Sequence, residues 1–165
     1  MNFRHAPGGA TQGGGIEVRA VDWDHPGGSA LRDAQRAEVR DVYYPELEDS
    51  EPGPHPTADD ILVFYVAFDG ERAVGTGALR GIDAEHGEVK RMYVDPDYRG
   101  SGVAARMLSV LEDDARGRGW NRLVLETGDT MTPAQRFYTR NGYTPIPLFG
   151  PYIGSGLSLC YGKKL

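Results

Sequence analysis

The stretch from Glu88 to Leu111 constrains this chain more than any other. It reads EVKRMYV, then DPDYRGSGVA, then ARMLSVL. The first part is a strand, and Asp95-Pro96 breaks it. The last part opens a helix over Gly102–Arg116. There Val103, Met107, Leu111 and Ala115 recur at four-residue intervals, with Ala104 and Leu108 beside them, and make one apolar face. Glu112, Asp113 and Asp114 fit a solvated face. A helix start leaves about four amides unbonded and carries roughly half a positive charge. Gly100 and Gly102 allow an anion to approach those amides. The stretch therefore reads as a strand leading into an anion-binding helix N-terminus.

The flanking chain alternates short strands with helices. Residues 1–14 are glycine-rich with few large apolar groups, so a disordered tail is expected before a single domain over 15–165. Ile16–Val21 alternates as a first strand, and Asp24–Gly28 is a turn cluster. The spacing predicts a helix over Ser29–Tyr44, capped by Ser29. Pro45–Asp60 carries four prolines and the acidic run ELEDSE, which reads as a loop with a short helix opening at Thr57. Ile61–Phe68, the Asp69-Gly70 turn and Ala73–Leu79 form a hairpin. Gly75 and Gly77 weaken its second strand or mark a close approach to the backbone. Glu88–Val94 completes an antiparallel meander. Arg122–Thr127 is a buried strand reached by a helical crossover, and so parallel to its predecessor. Thr132-Pro133-Ala134-Gln135 reads as a helix start with a capping box, and Asn141-Gly142 as its end. Short strands follow at Tyr143–Thr144 and Leu157–Tyr161.

The totals exclude several classes of function. With 165 residues, one unstapled core is feasible. A formal net charge of -6 argues against a nucleic-acid partner. It is compatible with a cationic substrate and also with ordinary solubility. The single cysteine, Cys160, sits in a strand-like run and fits a buried structural thiol better than a nucleophile. No apolar run is long enough to span a membrane, and the N-terminus lacks a signal-peptide core, so a cytoplasmic setting without a membrane partner is expected. The histidines are scattered without ligand spacing, so no metal is expected.

Gly100–Ala105 also matches GxGxxG/A, with Glu126 placed like the acid of a dinucleotide site. A nicotinamide-binding dehydrogenase needs the glycines directly after a strand and several further βα units. Here VDPDYR intervenes and only residues 127–165 remain.

Arg99–Ala104 reads R-x-x-G-x-A. With EVKRMYVDPDYRGSGVA, LETG and AQRFYTRNGY in register over Ile61–Tyr143, the chain resembles the GNAT superfamily of N-acetyltransferases. That resemblance implies an α/β (α+β) fold with helices on both faces of a mixed, mostly antiparallel sheet. The sheet would have six or seven strands, splayed in the middle for acyl-CoA. It implies acetyl transfer from acetyl-CoA to a primary amine, by direct attack in a ternary complex. Arg99, Gly100, Ser101, Gly102, Val103 and Ala104 would hold the diphosphate, although Arg99 also fits a simply solvated turn residue. Met92, Tyr93 and Val94 would offer backbone to the pantetheine arm, as an added strand does. Thr127 and Phe137 are expected beside the cofactor. Glu88 stands where the family usually carries a base, and Tyr138 where it often carries an acid; a solvated edge carboxylate and a packing residue are the plain alternatives. Tyr43, Tyr44 and Tyr152, with the ELEDSE loop, are candidates for the pocket of a small-molecule or peptide amine acceptor. A homodimer is compatible with all of this. A catalytically silent acyl-CoA sensor on the same fold is the rival reading.

Overall fold

The computed structural model describes residues 15–47 and 55–165. The expected tail, and Glu48–Glu51 of the acidic loop, lie outside the described residues. β1 (Ile16–Val21), β2 (Val63–Asp69), β3 (Arg72–Gly81), β4 (His86–Val94), β5 (Arg122–Gly128), β6 (Thr144–Ile146) and β7 (Ser158–Lys164) form a seven-stranded sheet. Its order is β1-β2-β3-β4-β5-β7-β6, and only β4 and β5 pair in parallel. This is a mixed, mostly antiparallel sheet, and it rules out the doubly wound parallel sheet of a dinucleotide-binding domain.

Helices α1 (Pro26–Glu38), α2 (Val103–Gly117) and α3 (Thr132–Arg140) cover its two faces. On one face Phe64, Val66, Phe68 and Ala78 form a cluster under α1. The other face is the larger core, where Val103, Met107, Leu108 and Leu111 of α2 meet Leu79, Val89, Leu123 and Tyr138. Glycine sets the spacing of these layers. A Cβ at Gly77 would sit 2.9 Å from Met107, and one at Gly28 would sit 2.5 Å from the Phe64 ring. Gly77 thus marks a close approach, where α2 lies directly on the β3 backbone.

Four local expectations are corrected. α1 begins at Pro26, not Ser29, and His25 caps it by accepting the Gly28 N–H at 3.3 Å. Proline is at home in a first helical turn, so Pro26-Gly27-Gly28 opens the helix rather than forming a separate turn. α1 also stops at Glu38, and Val39–Tyr43 continues as a π-helical turn. Near Thr57 there is one turn, closed by Asp60 onto the Thr57 amide at 2.9 Å, and no helix. Finally, Thr132 does not cap α3. Gln135 instead donates to the carbonyls of Gly128 and Asp129, both at 3.0 Å, which ties the helix start to the end of β5.

The parallel pair is the feature that positions the site. β4 and β5 pair only at His86–Arg122, Gly87–Leu123 and Glu88–Val124. β5 then stays with β7 as far as Gly128, while β4 stays with β3 as far as Val94. The two strands therefore diverge beyond Glu88. A bulge helps to bend β4 away: Thr76 pairs with Tyr93 and Ala78 with Lys90, so Gly77 faces both Arg91 and Met92. Arg91 has φ 55°, and the Thr76 hydroxyl donates to its carbonyl at 2.7 Å.

The paired end is held by Trp120, whose ring lies directly against Gly87. A Cβ there would stand 2.1 Å from a ring carbon. Gly87→Ala must shift the buried ring or the strand pair, and overpacking of this kind costs roughly 1–3 kcal/mol. Chemical denaturation should show that loss, and an unchanged midpoint would mean that the ring is free to move.

Candidate active site

The gap between the diverging strands is a cavity of about 260 Å³ that crosses the sheet. Val89, Lys90, Arg91 and Met92 of β4 line one side; Glu126, Thr127 and Gly128 of β5 line the other. Gln35 and Val39 reach it from the α1 layer, and Ala134 and Tyr138 from α3. Tyr44, Arg80, Met131 and Tyr152 complete the wall. The opening thus connects both faces of the sheet at its middle.

On the α1 side the buried carboxylate of Glu88, 1% exposed, accepts the Tyr152 hydroxyl proton at 2.6 Å. Lys90 Nζ donates to the same hydroxyl at 2.7 Å and stands 3.7 Å from the carboxylate. Arg80 lies opposite Glu88 across the hairpin, with a guanidinium nitrogen 3.9 Å away. Glu88 is not itself a wall residue. Tyr152 and Lys90, two groups it touches, do line the cavity. Burial, and then the Glu88 charge, push the Tyr152 phenol well above its usual range. It therefore stays protonated through neutral pH.

On the α3 side Tyr138 is buried against Phe137 and Tyr143. Its hydroxyl has no hydrogen-bond partner among the described residues. Burial and the nearby Glu126 raise its pKa as well. The result is a protonated phenol with an uncommitted donor at the cavity wall.

The start of α2 has the form the sequence predicted. Gly100 and Gly102 adopt φ 78° and 89°, which favour glycine, and a Cβ at either would meet nothing within 4 Å. The left-handed backbone, not crowding, is what requires them. No side chain caps the helix, and its first bond runs from Arg106 N to the Gly102 carbonyl. The amides of Val103 and Ala104 are therefore available to an anion. Ser101 donates its hydroxyl to the Tyr98 carbonyl. Arg99 is held in place, paired with Glu38 of α1 at 2.8 Å and donating to the Val94 carbonyl at 3.1 Å.

The expected site residues separate into groups. Met92, Thr127, Tyr138, Tyr44 and Tyr152 line the cavity. Arg99–Ala104 form the α2 start outside it. Tyr93, Val94, Phe137 and Tyr43 do not line it, and the Met92 carbonyl is already taken by Gln35 Nε2 at 2.9 Å. Tyr44 is tied down by its hydroxyl, which donates to Asp129 at 2.7 Å. Sequence reasoning missed Arg80, Lys90 and Gln35. Strand alternation puts Lys90 on the face of Glu88, and the hairpin register puts Arg80 opposite; only the Gln35 contact lacked a sequence signal. Cys160 is buried, as expected of a structural thiol. Among the described residues no group of His, Cys, Asp or Glu is placed to hold a metal ion, and no helix is long and apolar enough to cross a membrane.

A model of the acetyltransferase (GNAT) family matches residues 29–143, most of the chain. The chain belongs to the GNAT family. This GNAT acetyltransferase is 37% identical over 145 residues to an IAA acetyltransferase of Azospirillum brasilense, covering 83% of this chain and 94% of that protein. A crystal structure from Klebsiella pneumoniae superposes with a TM-score of 0.77 at 29% identity, covering 91% of this chain and 97% of the other. A GNAT acetyltransferase from Elizabethkingia anophelis, solved with acetyl-CoA bound, shares the fold with a TM-score of 0.69 at 16% identity, over 92% of this chain and 99% of that one.

The Glu88 carboxylate depends on one close hydroxyl, because its cationic neighbours stand beyond hydrogen-bonding distance. Tyr152→Phe removes that hydroxyl and should destabilise the GNAT fold by roughly 1–3 kcal/mol in denaturant titrations at neutral pH. A variant as stable as the parent would mean that water or Lys90 replaces the bond without loss.

Proposed function

We propose that the chain transfers an acetyl group from acetyl-CoA to the primary amine of a small acceptor, by direct attack within a ternary complex. The observation that carries this reading is the cavity through the sheet. It has a carboxylate–phenol pair, Glu88 and Tyr152, on one side and the uncommitted Tyr138 phenol on the other. The acetyl-CoA diphosphate would rest on the amides at Gly102–Ala104, and the thioester would enter the gap between β4 and β5. Acceptor amines are normally ammonium ions. Glu88 would take the first proton, passed through the Tyr152 hydroxyl, and leave a neutral nucleophile.

Attack forms the C–N bond and breaks the C–S bond. Negative charge then gathers on sulfur, where Tyr138 would donate a hydrogen bond. With its pKa raised, the phenol holds its proton more tightly than an ordinary tyrosine does. Any proton lent to sulfur is regained as the attacking nitrogen sheds its second one, so the phenol ends the cycle neutral.

Donor and chemistry are tested separately. Gly102→Asp puts a negative charge and a strained φ where the diphosphate would lie. Calorimetry should show much weaker acetyl-CoA binding by a folded variant, and unchanged affinity refutes the donor placement. In thiol-release kinetics, Glu88→Gln should lower kcat most at low pH, where fewer amines are already neutral. Tyr138→Phe keeps the ring and deletes the hydroxyl. It should lower kcat at least about tenfold with donor affinity and melting temperature nearly unchanged. Parent-like turnover of both variants, with chemistry rate-limiting, would remove these side chains from the mechanism.

A further inference from the structure

We infer that the acceptor carries a carboxylate as well as its amine, a small amino-acid-like molecule rather than a polyamine. This rests on the transfer reading above and adds to it the class of substrate. Three cationic side chains, Arg80, Lys90 and Arg91, line the cavity, against one lining carboxylate, Glu126. Glu88 lies behind Tyr152 and is shared between Arg80 at 3.9 Å and Lys90 at 3.7 Å. Both distances exceed a direct hydrogen bond, so neither cation has its donors satisfied by that carboxylate. Lys90 is held in place, its side chain only 17% exposed and its ammonium on the Tyr152 hydroxyl. Partly buried cations with donors to spare bind an anion strongly, and a carboxylate matches the guanidinium fork of Arg80. A second ammonium on the acceptor would meet these charges at close range and be repelled.

The cavity also has a place for an N–H donor. Gln35 Nε2 donates to the Met92 carbonyl at 2.9 Å, which fixes the orientation of the amide. Its Oε1 is then a buried acceptor without a partner, in a residue of the cavity wall. An unsatisfied buried acceptor costs roughly 1–3 kcal/mol, which an acceptor's amine would relieve. The described cavity, about 260 Å³, lies below the ~300–1,000 Å³ of pockets for drug-sized ligands and suits a small molecule.

The test is thiol release from acetyl-CoA by the full chain with matched acceptors: each proteinogenic amino acid beside its α-carboxamide, plus linear diamines. The best amino acid should exceed its carboxamide at least about tenfold in kcat/KM. Ionisation alone favours the carboxamide, whose amine is less basic, so the bias runs against the inference. Arg80→Met should bring the ratio towards one by raising KM for the acid, and Arg80→Lys should recover part of the preference. Carboxamides or diamines that match or beat the acids overturn the inference. If no acceptor turns over, calorimetry with the coenzyme A-saturated chain decides. N-acetylglycine bound more tightly than N-acetylglycinamide upholds the carboxylate site, and equal or weaker binding overturns it. Acetylation without a carboxylate preference leaves the transfer reading standing and removes this one; preferential binding without turnover does the reverse.

Discussion

Everything in the site depends on where two parallel strands stop pairing. β4 and β5 share a ladder only as far as Glu88 and Val124. A sheet normally satisfies its backbone by continuing to pair, so a gap in its middle needs support from outside. That support comes from both flanks: the hairpin partner β3 holds one lip through the Arg91 bulge, and β7 holds the other. Trp120 packed on Gly87 fixes the closed end. The gap is thus a built opening whose two lips are strands, Val89–Met92 of β4 and Glu126–Gly128 of β5.

Burial then gives the polar groups around the opening their character. Tyr138 and Tyr152 are buried aromatic residues, yet the hydroxyl of each lies within the influence of a carboxylate charge. That combination keeps both phenols protonated, as hydrogen-bond donors, through neutral pH. The two differ in commitment. Tyr152 spends its proton on Glu88, whereas Tyr138 has none of the chain's described groups to give its proton to. In the proposed reaction the first would pass a proton to Glu88 and the second would give one hydrogen bond to sulfur.

Much of this was legible because it is local. The four-residue repeat of α2, the two glycines before it and the hairpin turn at Asp69-Gly70 each declare themselves within a few residues. The caps were less legible. Ser29 and Thr132 had the right chemistry for the role, but His25 and Gln135 made the bonds, because tertiary packing chose where each helix met the sheet. Least legible was the grouping of Arg80, Glu88, Lys90 and Tyr152. The first three follow from strand register. Tyr152 joins them only because the chain after β6 folds back over β4, a return that no periodicity announces. The same holds for Gln35, whose amide reaches a strand 57 positions later.

The opening is lined from both faces of the sheet, and distant segments of the chain build its surroundings. The cradle at Gly100–Ala104 belongs to one short turn and the head of α2. Elsewhere the wall draws on Gln35 of α1, on Tyr44 and on the turn that carries Tyr152. A substitution at those three places can reshape the cavity wall and leave the turn at Gly100–Ala104 untouched. The fold thus keeps the segments that shape the opening apart from the turn that presents the free amides of α2, and each can be altered with little effect on the other.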